Sequence, residues 1–286
     1  MGRLPKIFGV VGSGQMGAGI AQVAAAAGLS VHLIDRSYDQ LDRAKAGVLD
    51  SLKRLASKGR LPEGEVQATL DRIQPAIELE ALHEADYVVE AVPEDEVLKR
   101  SIFHAMDKIT PHHAILASNT SSISITRLAA VTNRPDRVVG LHFMNPVPIM
   151  GLVELVRGMR TSDETFETTR QLAHQLGKTM CVSADRAGFI VNRVLMPMIN
   201  EAFYALMEGV GTPEDIDTGM KLGTNQPMGP LTLADFIGLD TCLAIMRVLR
   251  DNLGDDKYRP CPLLIQYVDA GLLGKKAGRG VYSYSS

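Results

Sequence analysis

The sequence near the amino end reads Lys6-Ile-Phe-Gly-Val-Val-Gly-Ser-Gly-Gln-Met-Gly-Ala-Gly-Ile-Ala-Gln22, and this stretch is the strongest indicator of the fold. A β-branched run leads into the glycine pattern GxGxxG, and a helical run of small residues follows. In that context Gly12 permits a tight turn, Gly14 lets a ligand approach the backbone, and Gly17 lets the helix pack close to the sheet. The order of strand, glycine loop and helix predicts a dinucleotide-binding unit.

A carboxylate follows the second strand, because Asp35 lies 18 residues after Gly17. An acid at this point accepts hydrogen bonds from ribose hydroxyls and repels a 2′-phosphate, so NAD is expected rather than NADP. The neighbouring Arg36 leaves NADP open, since a guanidinium could accept the phosphate. FAD fits the same pattern, but a chain of 286 residues is short for a flavoprotein. The loop residues expected to contact the cofactor are Gly12, Gly14, Gln15, Met16 and Gly17.

Composition narrows the class of protein. The chain has 286 residues, of which 45% are hydrophobic and 22% are charged, which suits two globular domains. The formal net charge of −3 gives no field that attracts nucleic acid or an anionic membrane. Three widely spaced cysteines predict neither a disulfide framework nor a zinc site. With no apolar run of roughly 20 residues, and with a strand from about Lys6 leaving no room for a presequence, we expect a cytoplasmic protein without a metal.

The organisation of the chain changes along its length. Apolar runs alternate with helical patterns over the first two-thirds, which predicts an α/β fold with a Rossmann-type doubly wound sheet. From about residue 185 the patterns are helical and strand signals are nearly absent. We therefore predict an NAD-binding domain over residues 1–184 and an all-helical domain over 185–286. Strand candidates begin at Lys6, Ser30, Tyr87, Ala114, Arg137, Gly151 and Thr179.

Two helical regions carry further predictions. Residues 38–72 read as two helices broken near Gly59-Arg-Leu-Pro62. This is longer than a plain crossover of about a dozen residues, so the pair is expected to project from the sheet. In the second domain Thr212 before Pro213 predicts the start of a helix. The many apolar residues of that domain leave open whether they drive self-association or simply form its own core.

A histidine and an acid flank one loop. A dehydrogenase needs a base near neutral pH, and His142 lies near the end of an apolar strand. The next strand carries one buried-looking acid, Glu154. If the two strands form an antiparallel pair, the two positions come close to opposite each other, and the carboxylate fixes the imidazole tautomer. A lone histidine is more often a satisfied core residue, so both interpretations stay open at this point.

The polar run Ser118-Asn-Thr-Ser-Ser122 follows another strand. Hydroxyls at the carboxyl end of a parallel strand point toward a ligand crevice, and the same residue types cap helices. We expect some residues of the run to bind a ligand and others to cap the helix that follows. The nucleophile pattern GxSxG is absent from the sequence, which argues against serine hydrolase chemistry.

Segments spread over nearly the whole chain resemble the 3-hydroxyacyl-CoA dehydrogenase family in its short two-domain form. The most specific of them are the segment that contains His142 and the segment that ends in Phe-Ile-Val-Asn-Arg193. The segments that carry the resemblance are Gly9–Gln22, Val89–Glu94 with Lys99, Ala117–Ser122, Gly140–Pro148, Asp185–Arg193, Pro227–Pro230 and Gly274–Gly280.

The resemblance implies oxidation of a short-chain (S)-3-hydroxyacyl-CoA, such as 3-hydroxybutyryl-CoA, by a homodimer that associates through its helical domain. His142 would be the general base, oriented by Glu154, while Ser121 and Asn192 would hydrogen-bond the substrate. Ser51 and Lys58, together with Ser121, would contact the CoA substrate. The residues implied to contact NAD outside the glycine loop are Asp35, Glu94, Lys99, Ser121, Asn145 and Lys276.

Three other functions stay open from the sequence. The first is a dehydrogenase of a hydroxy acid or sugar acid without CoA. Related enzymes for small 3-hydroxy acids use a lysine in place of the His–Glu pair, and we see no matching lysine motif. The second is a non-catalytic nucleotide-sensing protein of the same fold, which is expected to lack the histidine or the acid. The third is a flavoprotein.

Overall fold

An eight-stranded sheet forms the centre of the first of two units into which the chain divides after Arg186. The structure is a computed structural model that describes residues 4–284. The strands are β1 (Ile7–Val11), β2 (Ser30–Ile34), β3 (Ile73–Ala76), β4 (Tyr87–Glu90), β5 (Ile115–Ser118), β6 (Val138–Phe143), β7 (Leu152–Arg157) and β8 (Thr179–Ala184).

The strand order is β3-β2-β1-β4-β5-β6-β7-β8, and the strands from β3 to β6 are parallel. β7 runs antiparallel to β6, and β8 runs parallel to β7. The predicted doubly wound α/β fold is confirmed. Because the order reverses between β1 and β4, the carboxyl ends of these strands flank a crevice. The helices of this unit are α1 (Gln15–Ala26), α2 (Tyr38–Ser57), α3 (Glu65–Asp71), α4 (Glu96–Ile109), α5 (Ile125–Ala129) and α6 (Asp163–Gln175).

The edge strand β3 was missed by the sequence analysis. Of its four residues only Ile73 is fully buried, so the strand has no apolar run. Pro75 cannot donate to a sheet ladder, but an edge strand tolerates it because one side has no neighbour. The central strands β4, β5 and β6 are buried along their whole length, which made them visible in the sequence.

The predicted helical pair corresponds to α2 and α3, with a break at Gly59, whose φ is +66°. One face of α2 is buried in the core of the first unit through Leu41, Ala44, Val48 and Leu52. The pair contacts α1 along this face. The opposite face of α2 is solvent-exposed.

The second unit, which begins at Ala187, is helical. Its core includes Met196, Met246 and Leu249, each no more than 1% exposed. Thr212 caps α8 by accepting a hydrogen bond from the Asp215 amide, as its sequence predicted. The helices of this unit are α7 (Val191–Met207), α8 (Pro213–Gly223), α9 (Pro230–Ile237), α10 (Leu239–Leu253) and α11 (Pro262–Asp269). Across residues 4–284, the structure holds no helix with both the length and the apolarity needed to cross a bilayer.

Gly17→Ala is predicted to destabilise the first unit severely, because a Cβ at this position would overlap the carbonyl oxygen of Gly12. The backbone of Gly12 in the loop and the backbone of Gly17 in α1 cannot move apart without disrupting the turn from β1 to α1. The matched control is Gly219→Ala in α8, where nothing lies within 4 Å of the added Cβ. Better helix propensity should make the control more stable by about 0.5–1 kcal/mol. Urea unfolding measures both, and an unchanged midpoint for Gly17→Ala would contradict the close packing.

Candidate active site

The glycine loop joins β1 to α1 at the point where the strand order reverses. Gly12 has a φ of +101°, and a Cβ there would lie 2.7 Å from the Ala91 carbonyl oxygen. The loop therefore packs directly on the segment that follows β4. Gly14 faces open space, with nothing within 4 Å of an added Cβ. α1 starts with neither a side-chain cap nor an acid in its first turn, so its positive end suits an anion.

A cleft of about 870 Å³ lies over this loop. It is bordered by Gly12 and Gly14, by Asp35 after β2, and by residues 91–93 after β4. Apolar side chains form another part of its wall and suit a flat ring. Open space above Gly14, an acid after β2 and the size of the cleft all fit NAD. The apolar lining residues include Ile77, Leu79, Leu98 and Ile102.

Asp35 is tied to the glycine loop. Its Oδ2 accepts hydrogen bonds from the Ser13 amide and from the Ser13 hydroxyl, both 2.8 Å long. These bonds hold the carboxylate at the border of the cleft, where the sequence placed a ribose acceptor. The adjacent Arg36 also lines the cleft and is exposed, so its guanidinium is close enough to influence cofactor choice.

Glu94 organises the polar run that follows β5. Its Oε1 accepts hydrogen bonds from the amides of Ser121, at 2.9 Å, and Ser122, at 3.1 Å. Burial opposes ionisation of Glu94, but the Lys99 ammonium and the hydrogen bonds outweigh it and lower the pKa of this carboxyl. The run therefore binds Glu94. The cap of α5 comes instead from Ser124, which accepts from the Arg127 amide.

Lys99 lies below the cleft, inside the protein. Its side chain is 1% exposed, and its Nζ is 2.6 Å from Glu90 Oε1, 3.0 Å from the Val92 carbonyl and 3.4 Å from Glu94 Oε2. Sequence reasoning missed Glu90, although an acid inside the apolar run Val88–Val92 was a usable signal. The ammonium is thus surrounded by protein acceptors.

His142 and Glu154 face each other across β6 and β7, as the sequence predicted. His142 Nδ1 lies 2.7 Å from Glu154 Oε2, and Glu154 is fully buried. A carboxylate at Nδ1 favours the tautomer with the proton on that nitrogen, which makes Nε2 the basic nitrogen. The end of β6 is fixed further by Asn119, whose Oδ1 accepts from the Phe143 amide at 2.9 Å. The pairing of β6 with β7 therefore places the His142 imidazole beside a carboxylate that fixes its orientation.

The loop after His142 is held by a lysine that sequence reasoning missed. Lys178 Nζ donates to the carbonyls of Val147, at 2.6 Å, and Met150, at 2.8 Å. Burial lowers the pKa of Lys178. No sequence motif marks this lysine. Its effect is to hold in place the loop that carries Asn145.

A second cleft, of about 380 Å³, lies between α1, α2 and residues 145–148. Ser51 lines it from α2 and Asn145 from the loop, so the structure brings these two predicted residues to one surface. Gly14 and Gln15 line both clefts. Lys58 is an exposed residue at the end of α2 and is not part of the lining.

The remaining predicted residues belong to the helical unit. Asn192 lies in the first turn of α7 and is buried, with 9% exposure. Lys276 lies in a short 3₁₀ helix, and its Nζ is 2.6 Å from Asp240 Oδ1. Among the described residues of either unit, no group of three His, Cys, Asp or Glu side chains is placed to hold a metal ion.

Comparison with known proteins covers both units. Residues 7–186 match the family model described as 3-hydroxyacyl-CoA dehydrogenase, NAD binding domain. Residues 188–284 match the model described as 3-hydroxyacyl-CoA dehydrogenase, C-terminal domain. The NAD cofactor expected from the glycine loop and Asp35 therefore agrees with the family of the first unit.

Full-length relatives carry related names. The chain is 55% identical over 284 residues to a 3-hydroxybutyryl-CoA dehydrogenase of Bradyrhizobium diazoefficiens, covering 99% of this chain and 97% of that protein. It is 43% identical to human mitochondrial hydroxyacyl-coenzyme A dehydrogenase, over 96% of this chain and 90% of that protein. The crystal structure of (S)-3-hydroxybutyryl-CoA dehydrogenase PaaH1 from Ralstonia eutropha superposes with a TM-score of 0.95 at 51% identity, covering 99% of this chain and 100% of that chain.

Gly14→Ala is predicted to fold normally and to bind NADH poorly. The backbone at Gly14 has a φ of −61°, which alanine adopts, and the added methyl meets no protein atom within 4 Å. It does occupy the space through which a pyrophosphate approaches the helix end. Overpacking that costs about 1–3 kcal/mol corresponds to a dissociation constant raised about fivefold to 150-fold. Fluorescence titration with NADH measures it, with Gly219→Ala as control, and unchanged affinity would remove the loop from the cofactor site.

Proposed function

The chain belongs to the 3-hydroxyacyl-CoA dehydrogenase family, and from this we propose that it oxidises the 3-hydroxyl of a short-chain (S)-3-hydroxyacyl-CoA, such as 3-hydroxybutyryl-CoA, and catalyses the reverse reaction. The observation that carries the proposal is the 2.7 Å contact between His142 and Glu154. A base held by a buried carboxylate is what removal of a hydroxyl proton requires.

The proton transfer is assigned to His142. Its Nε2 takes the proton of the substrate hydroxyl, and Glu154 stabilises the imidazolium that forms. Bound NAD supplies the hydride acceptor. Because Glu154 is fully buried, its carboxylate keeps its strength as a hydrogen-bond partner of the imidazole. In the reverse direction the same imidazolium returns the proton to the oxygen.

The substrate oxygen is assigned to Ser121 and Asn192. Ser121 stands at the carboxyl end of β5, and its position is set by Glu94, which binds its amide. Asn192 offers an amide side chain from the first turn of α7. Donors held in place before the reaction stabilise an oxygen whose negative charge grows during the transfer.

The cofactor contacts are assigned to residues of both units. The glycine loop and the start of α1 hold the pyrophosphate, and Asp35 accepts hydrogen bonds from the adenosine ribose. Lys99 is assigned to the same site, although its buried ammonium acts on other protein groups first. The remaining residues proposed to contact NAD are Glu94, Ser121, Asn145 and Lys276.

The CoA part of the substrate is assigned to α2. Ser51 lines the second cleft, which borders the cofactor cleft at Gly14. Lys58 ends the same helix, and Lys53 and Arg54 are exposed beside it. Exposed cations are suitable partners for the phosphates of CoA.

Association and location complete the proposal. We propose a homodimer through the helical unit, which exposes apolar side chains that a monomer would leave in water. We propose the cytoplasm as location, because the three free thiols of Cys181, Cys242 and Cys261 suit a reducing compartment. The exposed apolar side chains are Ile190, Val194, Met207, Val210, Leu222 and Phe236.

A substrate survey tests the proposed reaction. NADH oxidation should be fast with acetoacetyl-CoA. It should be absent or far slower with free acetoacetate and with free 3-oxo sugar acids, because these acids lack the CoA part that contacts α2. NADPH should replace NADH poorly, since Asp35 repels the 2′-phosphate. Longer 3-oxoacyl-CoA thioesters measure the chain-length preference. Equal rates with free acids would instead favour a hydroxy-acid dehydrogenase without CoA, and no turnover at all would favour a nucleotide-sensing protein.

Substitution of the His–Glu pair tests the mechanism. His142→Gln should reduce kcat by about 10²–10⁴-fold, the usual contribution of a general base, and leave the NADH dissociation constant unchanged. Glu154→Gln should reduce kcat by a smaller factor, because a neutral amide can still orient the ring but stabilises the imidazolium less than a carboxylate does. An unchanged kcat in Glu154→Gln, or a near-normal kcat in His142→Gln, would refute these roles.

A further inference from the structure

One buried ion pair lies under the cofactor cleft, and the proposed proton transfer does not use it. Glu90, the last residue of β4, is 0% exposed, and Lys99 of α4 is 1% exposed. Removing two charges from water costs several kcal/mol for each ion, and an apolar pair of similar volume is often as stable. Such a pair is therefore weak support for a purely stabilising role, and its position at a ligand crevice points to function.

The contacts of the pair converge on the wall of the cleft. Glu90 Oε1 accepts from the Val92 amide at 2.7 Å, and Lys99 Nζ donates to the Val92 carbonyl at 3.0 Å. Both polar atoms of this residue are thus held by the pair. Val92 itself lines the cofactor cleft. The same segment contacts the glycine loop, because Gly12 packs against Ala91.

A second set of contacts leads from the pair to Glu94. Lys99 Nζ lies 3.4 Å from Glu94 Oε2, while Glu94 Oε1 binds the amides of Ser121 and Ser122. Glu90 Oε2 also accepts from the Ser118 hydroxyl at 2.7 Å, at the end of β5. The ammonium therefore connects a fully buried acid to an acid at the surface of the site.

We infer that Glu90 and Lys99 are positioning residues of the cofactor site. Together they fix the peptide groups of Val92 in the wall of the cofactor cleft, and they orient the Glu94 carboxylate, which accepts a hydrogen bond from the Ser121 amide. The inference rests on the proposed role of Glu94 toward NAD. It is separate from the contact with NAD proposed above for Lys99, because in this role the ammonium acts through protein groups.

The two charges depend on each other. Burial raises the pKa of Glu90, and the charge of Lys99 with the hydrogen bonds from Lys99, Ser118 and Val92 opposes the rise. Without Lys99 the buried carboxyl is expected to take up a proton. Without Glu90 the buried ammonium keeps only Glu94 as a counter-ion. Single substitutions therefore disturb folding, and only a double substitution separates stability from position.

The test compares Glu90→Gln, Lys99→Met and the double variant Glu90→Gln/Lys99→Met. Each is measured for Tm without ligand, for the NADH dissociation constant by fluorescence titration, and for kcat and KM. We expect both single variants to lose Tm and the double variant to recover most of it. NADH binding of the double variant should stay roughly tenfold weaker, a typical coupling within one hydrogen-bonded network. Recovery of wild-type NADH affinity together with Tm would overturn the inference.

The matched control is another buried ion pair of the same unit, Arg134–Asp107, with 2.8 Å between Arg134 Nε and Asp107 Oδ1. Arg134 also donates a hydrogen bond to the carbonyl of Thr110, which precedes β5. This pair therefore lies near the amino ends of the parallel strands, away from the cofactor cleft at their carboxyl ends. Asp107→Asn/Arg134→Met should lower Tm and leave the NADH dissociation constant of the folded protein unchanged. An equal loss of NADH affinity in this control would show that instability alone explains the effect, and would overturn the inference.

A cycle with Glu94 separates an effect through the Glu94 carboxylate from a direct contact between Lys99 and NAD. Glu94→Gln alone should weaken NADH binding, and normal binding would refute the proposed role of Glu94 itself. In a Glu94→Gln chain, Lys99→Met should weaken NADH binding by a factor clearly smaller than in the wild-type chain, because both changes act on one carboxylate. Full additivity of the two losses would overturn the positioning role while leaving the proposed function of Glu94 intact.

Discussion

The hydrogen bond between His142 and Glu154 depends on one reversal of strand direction. The first six strands all run in the same direction. The short loop after β6 then reverses the chain, so that β7 runs antiparallel to β6. Antiparallel neighbours place directly opposed side chains about 4.5–5.5 Å apart, so one register sets the imidazole beside the acid. A shift of β7 by one residue would turn Glu154 to the other face of the sheet, away from His142. The chemistry therefore depends on the pairing of two strands.

Three buried charged groups lie near the carboxyl ends of the central parallel strands. Glu90, Lys99 and Glu154 are each no more than 1% exposed, in strands and helices whose neighbours are apolar. A protein interior tolerates such groups only when partners compensate their lost hydration. Each of the three has at least one partner of opposite charge, or an imidazole, within 2.7 Å. The stability lost through burial is compensated locally, and the result is a set of polar groups with fixed directions.

Several features could be predicted from the sequence because they are local. The glycine loop and the apolar strands follow from spacing alone. The position opposite His142 was predicted on the condition that its strand and the next form an antiparallel pair. Ser118–Ser122 could not be resolved in the same way, because capping and binding use the same residues. β3 was missed because a short edge strand with Pro75 has little apolar signal.

The sequence by itself determined the class of fold, the cofactor unit at the start of the chain and the pair of residues that face each other across β6 and β7. These features arise between residues near each other in the chain, where periodicity and turn chemistry operate. Only the tertiary structure decided that Glu94 would bind the amides after β5, that Lys178 would hold the loop of Asn145, and that Lys99 would pair with Glu90 beneath the cleft. The reason is physical: such contacts join elements that become neighbours only when the sheet assembles, and spacing along the chain does not specify them.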